Sequence, residues 1–174
     1  MQATRPDFAF MRRHPAHWIA LGFGSGLAAR APGTIGTLWS WASFLVFDRW
    51  LGDAAWGLLI AAGTLIGIWA CTRTAQHLGI GDPGAVVWDE VLAFWTVLWV
   101  LSPASWWTQL AAFGLFRFFD AAKPGPVGWA DRRFKRAAGP SSIGWTQGFG
   151  ILADDFVAAL CTLLVMALAL RLWS

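Results

Sequence analysis

Charge in this chain is confined to a few short clusters, and five apolar stretches run between them. The stretches cover residues 35–47, 54–71, 85–101, 104–119 and 156–170. Only 13% of the 174 residues are charged and 57% are hydrophobic, whereas a soluble domain averages roughly 25% charged residues. A surface so poor in charge cannot be mostly wet. A membrane-crossing helix needs about 20 mainly apolar residues, within a range of roughly 17–25. The second and last stretches meet that need best. The other three are short and must carry their polar ends to an interface. The expectation is therefore an all-α, polytopic helical membrane bundle of four to five spans. The 14 Trp residues, in a chain without Tyr, suit it, because indole favours the membrane–water boundary.

Residues 1–17 read as a polar, basic tail, and 18–174 as one membrane-embedded domain, within the size of a single domain (about 100–200 residues). Segment 18–37 holds five glycines and Pro32, which argues against one continuous helix. With the basic N-terminus inside and each stretch crossing once, 72–86 and 117–153 fall inside, and 48–54 and 101–106 outside. Of the 13 Lys and Arg residues, all but Arg49 and Arg171 then lie inside. This asymmetry is what the positive-inside rule demands of a multi-pass protein.

The net charge of +3 is not a nucleic-acid signal, because the bases are scattered and form no dense stripe. Cys71 and Cys161 sit in apolar segments with no zinc-ligand spacing and read as small buried residues. No secretory signal is evident at the N-terminus. GFGSG is not a dinucleotide fingerprint, and neither a phosphate-binding loop ending in Lys-Ser/Thr nor a nucleophile elbow occurs. His14, His17 and His77 form no motif and read as interfacial polar residues.

On this topology one face collects the Ser25–Thr37 loop, Asp89, Glu90, Arg117, Asp120, Lys123, Asp154 and Asp155. They come from four separate parts of the chain. Ionisable residues beside membrane helices are costly, and tend to pair, line a cavity or bind a ligand. Each also has a structural reading. Asp154 and Asp155 would favour the positive end of a helix starting there. Asp89 and Glu90 would balance Arg73 or Arg117. Arg117 and Asp120, three apart, would pair on one helix face. Taken together, the chemistry points further. Carboxylates without His or Cys ligands suit magnesium or manganese. Arg gives fork-like phosphate contacts, and a Gly/Ser/Thr loop offers N–H groups to an anion. Phosphoryl transfer needs such a set, because it rests on positioning and charge neutralisation.

The segments GFGSGLAARAPGTIGTL, VVWDEVLAFW, FRFFDAAKPGPVGWADRR and GILADDFVAAL resemble, in order, those of the phosphatidylglycerophosphatase A family. The resemblance covers most of residues 18–160 and implies hydrolysis of phosphatidylglycerophosphate to phosphatidylglycerol and phosphate. It also implies Mg2+ and a bacterial inner membrane with the active site facing the cytoplasm. It puts Ser25, Thr34, Asp89, Glu90, Arg117, Asp120, Lys123, Asp154 and Asp155 on the family's motif positions. On this reading Asp89, Glu90, Asp120, Asp154 and Asp155 hold metal and are catalytic, while Ser25, Thr34, Arg117 and Lys123 bind substrate. The nucleophile is water or a carboxylate. Residues 133–148 look altered and carry no assignment. The partners are a phospholipid and the membrane, with self-association open. The rival is a small transporter or proton relay, since membrane carboxylates also mark ion paths. A relay should spread acids through the membrane's depth, and here they gather at one face.

Overall fold

The computed structural model describes residues 5–134 and 143–173, which are helical, with no strand among the described residues. Two short helices, α1 (Phe8–Met11) and α2 (Pro15–Ala20), lead into a tight 3-10 segment, Gly22–Leu27. Then follow α3 (Pro32–Phe47), α4 (Asp53–Leu78), α5 (Trp88–Leu101), α6 (Trp106–Ala122), α7 (Pro126–Phe134) and α8 (Trp145–Trp173).

Helix α5 is the axle. Val91, Leu92, Ala93, Phe94 and Val97 are fully buried, because α3, α4, α6 and α8 all pack around it. On α4, Gly67 lets the Trp88 ring lie close. A Cβ there would come within 2.6 Å of the indole, whose Nε1–H donates to the Gly63 carbonyl at 3.0 Å. Trp95 donates to the Ser40 carbonyl and Trp56 to Asp48, each at 3.0 Å. A buried indole needs such a partner. These tryptophans are core residues, while Trp50, Trp106, Trp107, Trp129 and Trp145 are exposed.

Two helices, α4 and α8, are long and apolar enough to cross a membrane. That is fewer than the four to five spans expected from sequence. Helices α3, α5 and α6 have 16, 14 and 17 residues, which at about 1.5 Å per residue falls short of a hydrocarbon core of about 30 Å. Hydropathy registers apolar residues without knowing what covers them, and α5 is apolar because protein encloses it. The long helices differ. Only 28% of the apolar window of α4 is buried, and Leu58, Leu65 and Ile66 point outward. Leu160, Leu164 and Leu168 make an exposed stripe at i, i+4, i+8 on α8. Both long helices thus turn apolar side chains outward, with 28% of the α4 window and 44% of the α8 window buried.

The polar N-terminal segment is folded from Phe8 onward, with Met11, Ala16 and His17 buried. His17 accounts for this. Its Nδ1 meets the Phe10 carbonyl at 2.9 Å, so Nδ1 carries the proton, and its Nε2 accepts from Nδ1 of His77, on α4, at 2.8 Å. His14 caps α2 through the Ala16 N–H and packs tilted against His17 and edge-on against His77, each with ring centroids 5.6 Å apart. Burial lowers the His17 pKa, with His77, His14 and Arg13 adding to the effect against the Phe10 hydrogen bond. A histidine whose folded pKa is lowered stabilises the fold above its unfolded value of about 6.5. That contribution is lost as pH falls from there toward the folded value. Between pH 7.5 and 5.5, amide exchange protection at Met11–Leu21 should fall relative to that of α5. Parallel behaviour of the two segments would show that His17 does not link α2 to α4.

Candidate active site

Successive helices alternate in direction, so the starts of α3, α5 and α8 meet the ends of α4 and α6. The polar constellation assembles there. The Val87 N–H, bonded to the Ala20 carbonyl at 2.9 Å, pins the entry to α5 and places Asp89 and Glu90 in its first turn. Asp154 and Asp155 are buried at 0% and 3% exposure. Helix α8 begins at Trp145, so the pair lies about two and a half turns inside it. That removes the capping reading, because the helix's free N–H groups are confined to its first turn.

Oxygens of Asp89, Glu90 and Asp155 all lie within 4.8 Å of one another. Two cations hold the remaining acids. The Arg117 guanidinium pairs with Asp120, stands 3.9 Å from Glu90 Oε1, and donates to Thr37 Oγ1 at 3.3 Å. The Lys123 ammonium lies between Asp154, at 2.6 Å, and Asp131. Lys123 closes α6 in the left-handed conformation, φ 47° and ψ 49°, and Pro124, with no N–H to donate, follows it. That backbone is unfavourable for a lysine, and its two carboxylate partners hold it there.

The structure brings the acids and bases named from sequence to one end of the bundle and sorts them. Asp89, Glu90 and Asp155 form one cluster, and Asp120 and Asp154 sit on the cations. Ser25 turns away, its hydroxyl donating to the Gly22 carbonyl in its own turn at 2.9 Å. Thr34, half-buried in the first turn of α3, makes no side-chain hydrogen bond among the described residues. Two participants were not foreseen by number, Asp131 and Gly33, while Thr37 was named only as the end of the Ser25–Thr37 loop. Asp131 gave no signal, as it lies in a polar run beside Arg132. Lys135 and Arg136, placed inside by the charge argument, lie outside the described residues.

Gly33 is a matter of space. A Cβ there would stand 2.3 Å from Glu90 Oε1 and 3.2 Å from an Arg117 nitrogen. The backbone of α3 thus forms one wall of the cluster. Gly33→Ala should push Glu90 and Arg117 apart and cut turnover by roughly tenfold or more, as small misplacements do, with the melting midpoint nearly unchanged. Unaltered kinetics in that variant would mean the wall is not in contact with the working groups.

Among the described residues, six carboxylates share this end of the bundle with Arg117 and Lys123. Like charges held this close repel one another, and a divalent cation between the three carboxylates of the trio would offset that repulsion. The trio fits magnesium. Carboxylate oxygens alone, gathered within 4.8 Å of one another, are the donor set that ion prefers. Glu90 Oε2 is buried and accepts no hydrogen bond among the described residues, as an oxygen reserved for a metal would be.

The profile of a family described as phosphatidylglycerophosphatase A matches residues 18–170. The chain is 36% identical over 160 residues to phosphatidylglycerophosphatase A of Haemophilus influenzae, covering 92% of this chain and 91% of that protein. It is 35% identical over 150 residues to phosphatidylglycerophosphatase A of Escherichia coli, covering 83% and 77%. A Bacteroides thetaiotaomicron protein provisionally named phosphatidylinositol-3-phosphatase is 34% identical over 159 residues, covering 87% and 91%. No solved structure matches the chain.

Proposed function

From the premise that the chain belongs to the phosphatidylglycerophosphatase A family and is a lipid phosphatase, we propose that it removes the terminal phosphate of phosphatidylglycerophosphate in a magnesium-dependent reaction. The observation that carries the reading is the gathering of Asp89, Glu90 and Asp155 within 4.8 Å beside Arg117. Those three carboxylates would hold the metal, with Asp120 and Asp154 steering the two cations. Magnesium bound there supplies charge to phosphoryl oxygens and a template for in-line attack. Arg117, fixed by Asp120 and Thr37, offers its fork to the phosphate. Lys123, fixed by Asp131 and Asp154, offers a point charge. Thr34, at the open first turn of α3, is placed to donate to the headgroup. The nucleophile is water or a carboxylate. We further infer a multi-pass protein of a bacterial inner membrane, with this helix end facing the cytoplasm. The location of most Lys and Arg residues supports that orientation. Clustering of the acids at one end, and membership of a phosphatase family, leave the transporter reading unsupported.

Purified protein with phosphatidylglycerophosphate micelles tests the proposal. Phosphate should be released, the release should stop in EDTA, and added magnesium should restore it. Full activity after thorough chelation would remove the metal from the reaction. Faster release from phosphatidylinositol 3-phosphate would transfer the assignment to the substrate named for the Bacteroides relative.

A further inference from the structure

A cavity of about 410 Å³ opens beside the carboxylate cluster, without containing any of it. Its walls are the segment Gly26–Pro32 before α3 and the connection from Leu78 to Ala85 between α4 and α5, with Arg5 and Pro6 closing one side. The volume is within the roughly 300–1,000 Å³ typical of ligand sites. The lining is mainly apolar, and Arg5 and Asp82 are its charged members.

Two chain segments join this cavity to the cluster. Pro32 lines it, and the next residue, Gly33, touches Glu90 and Arg117. Ala85 lines it, and Asp89 follows four residues later, in the first turn of α5. A ligand spanning the cavity and the cluster therefore crosses only the start of α3. The charges suit a ligand with two phosphates. Arg117 and Lys123 are committed to the cluster. Among the described residues Arg5 gives one hydrogen bond, to the Ala29 carbonyl at 2.8 Å, and a guanidinium has five N–H groups to offer. Arg30, exposed between lining residues Ala29 and Ala31, adds a second cation at the rim.

Resting on the phosphatase reading above, we propose that this cavity is the subsite for the glycerophosphodiester of the lipid. This is the part of the headgroup that the dephosphorylated product keeps, with its diester phosphate at Arg5 and its glycerol against the apolar wall. The terminal phosphate then reaches the carboxylate cluster. The cavity, not the cluster, makes the enzyme select a phospholipid over a small phosphomonoester.

Gly84 provides the probe. It lines the cavity, and a Cβ there meets nothing within 4 Å, so Gly84→Leu and Gly84→Cys add bulk or a thiol in open space. In a Cys161→Ala background, a maleimide should modify Gly84→Cys at least severalfold more slowly when short-chain phosphatidylglycerol is present. Inorganic phosphate should not protect. Ala54→Cys, at the far end of α4, should label at the same rate throughout. In kinetics, Gly84→Leu and Arg5→Gln should each lower the ratio of kcat/KM for phosphatidylglycerophosphate to that for glycerol 3-phosphate by roughly tenfold, mainly through the lipid KM. Unprotected labelling of Gly84→Cys, protection by phosphate alone, or an unchanged ratio in both variants would overturn the subsite. Wild-type protein that hydrolyses neither compound would end the phosphatase reading, and the labelling arm alone would then decide whether the cavity binds the lipid diester.

Discussion

Asp89→Asn, Glu90→Gln and Asp155→Asn should each reduce phosphate release from phosphatidylglycerophosphate by roughly a hundredfold or more, since each removes a charge that holds the reacting centre in place. Stability should move the other way. The three carboxylates crowd within 4.8 Å, and neutralising one relieves repulsion between like charges. Measured in EDTA, the melting midpoint of each variant should hold or rise. An activity that falls while stability holds is the pattern of a functional site kept at a structural cost. Asp154→Asn should behave differently, although it neighbours Asp155. Asp154 is fully buried against Lys123 at 2.6 Å, and its loss weakens that pair, although the part-exposed Lys123 keeps Asp131, so the cost falls below the about 3–5 kcal/mol of a fully buried pair. Its midpoint should fall. Asp53→Asn, at the opposite end of the bundle, keeps an acceptor for the Trp99 indole and should alter neither quantity. Near-normal turnover by folded Asp89→Asn, Glu90→Gln and Asp155→Asn would make these acids structural and the site wrong.

The sequence made some of this legible and hid the rest for physical reasons. Acid pairs inside apolar runs are conspicuous, because nothing about a membrane or a core favours them unless they are paired or used. Asp89, Glu90, Asp154 and Asp155 were therefore visible without coordinates. Their division of labour was not, because whether Asp154 meets a metal or a lysine depends on where α6 ends relative to α8. The first turns of α8 lie before the apolar stretch 156–170, because Thr146, Gln147, Gly148 and Gly150 interrupt the hydropathy there. There Gly148 serves close approach, as a Cβ would come within 2.4 Å of the Ile68 carbonyl of α4. The contact between His17 and His77 joins residues sixty apart, and local pattern carries no record of it. Span number failed for α5 because burial by protein and burial by lipid select the same side chains.

Arg117 and Asp120 decide how the cluster's last acid works. If Asp120 serves by fixing Arg117, the two act as one unit. Arg117→Lys keeps the charge but loses the planar fork, and should lower kcat/KM by roughly a hundredfold. Asp120→Asn keeps an amide oxygen to accept from the guanidinium but removes the charge, leaving Glu90 at 3.9 Å as its carboxylate neighbour among the described residues and Thr37 Oγ1 at 3.3 Å as its other acceptor, and should cost roughly tenfold, the scale of a charged hydrogen bond made neutral. In the double variant the second loss should largely vanish, because a lysine in place of Arg117 no longer needs a partner for its fork. Contacting residues in one network are expected to show such coupling, in the range of about 0.5–3 kcal/mol. The magnesium concentration for half-maximal activity should stay near the wild-type value in Asp120→Asn and rise in Glu90→Gln. Multiplicative losses in the double variant, with a raised magnesium requirement in Asp120→Asn, would instead make Asp120 a metal ligand in its own right. The pairing with Arg117 would then be its resting state, and the cluster would hold four carboxylates around the ion.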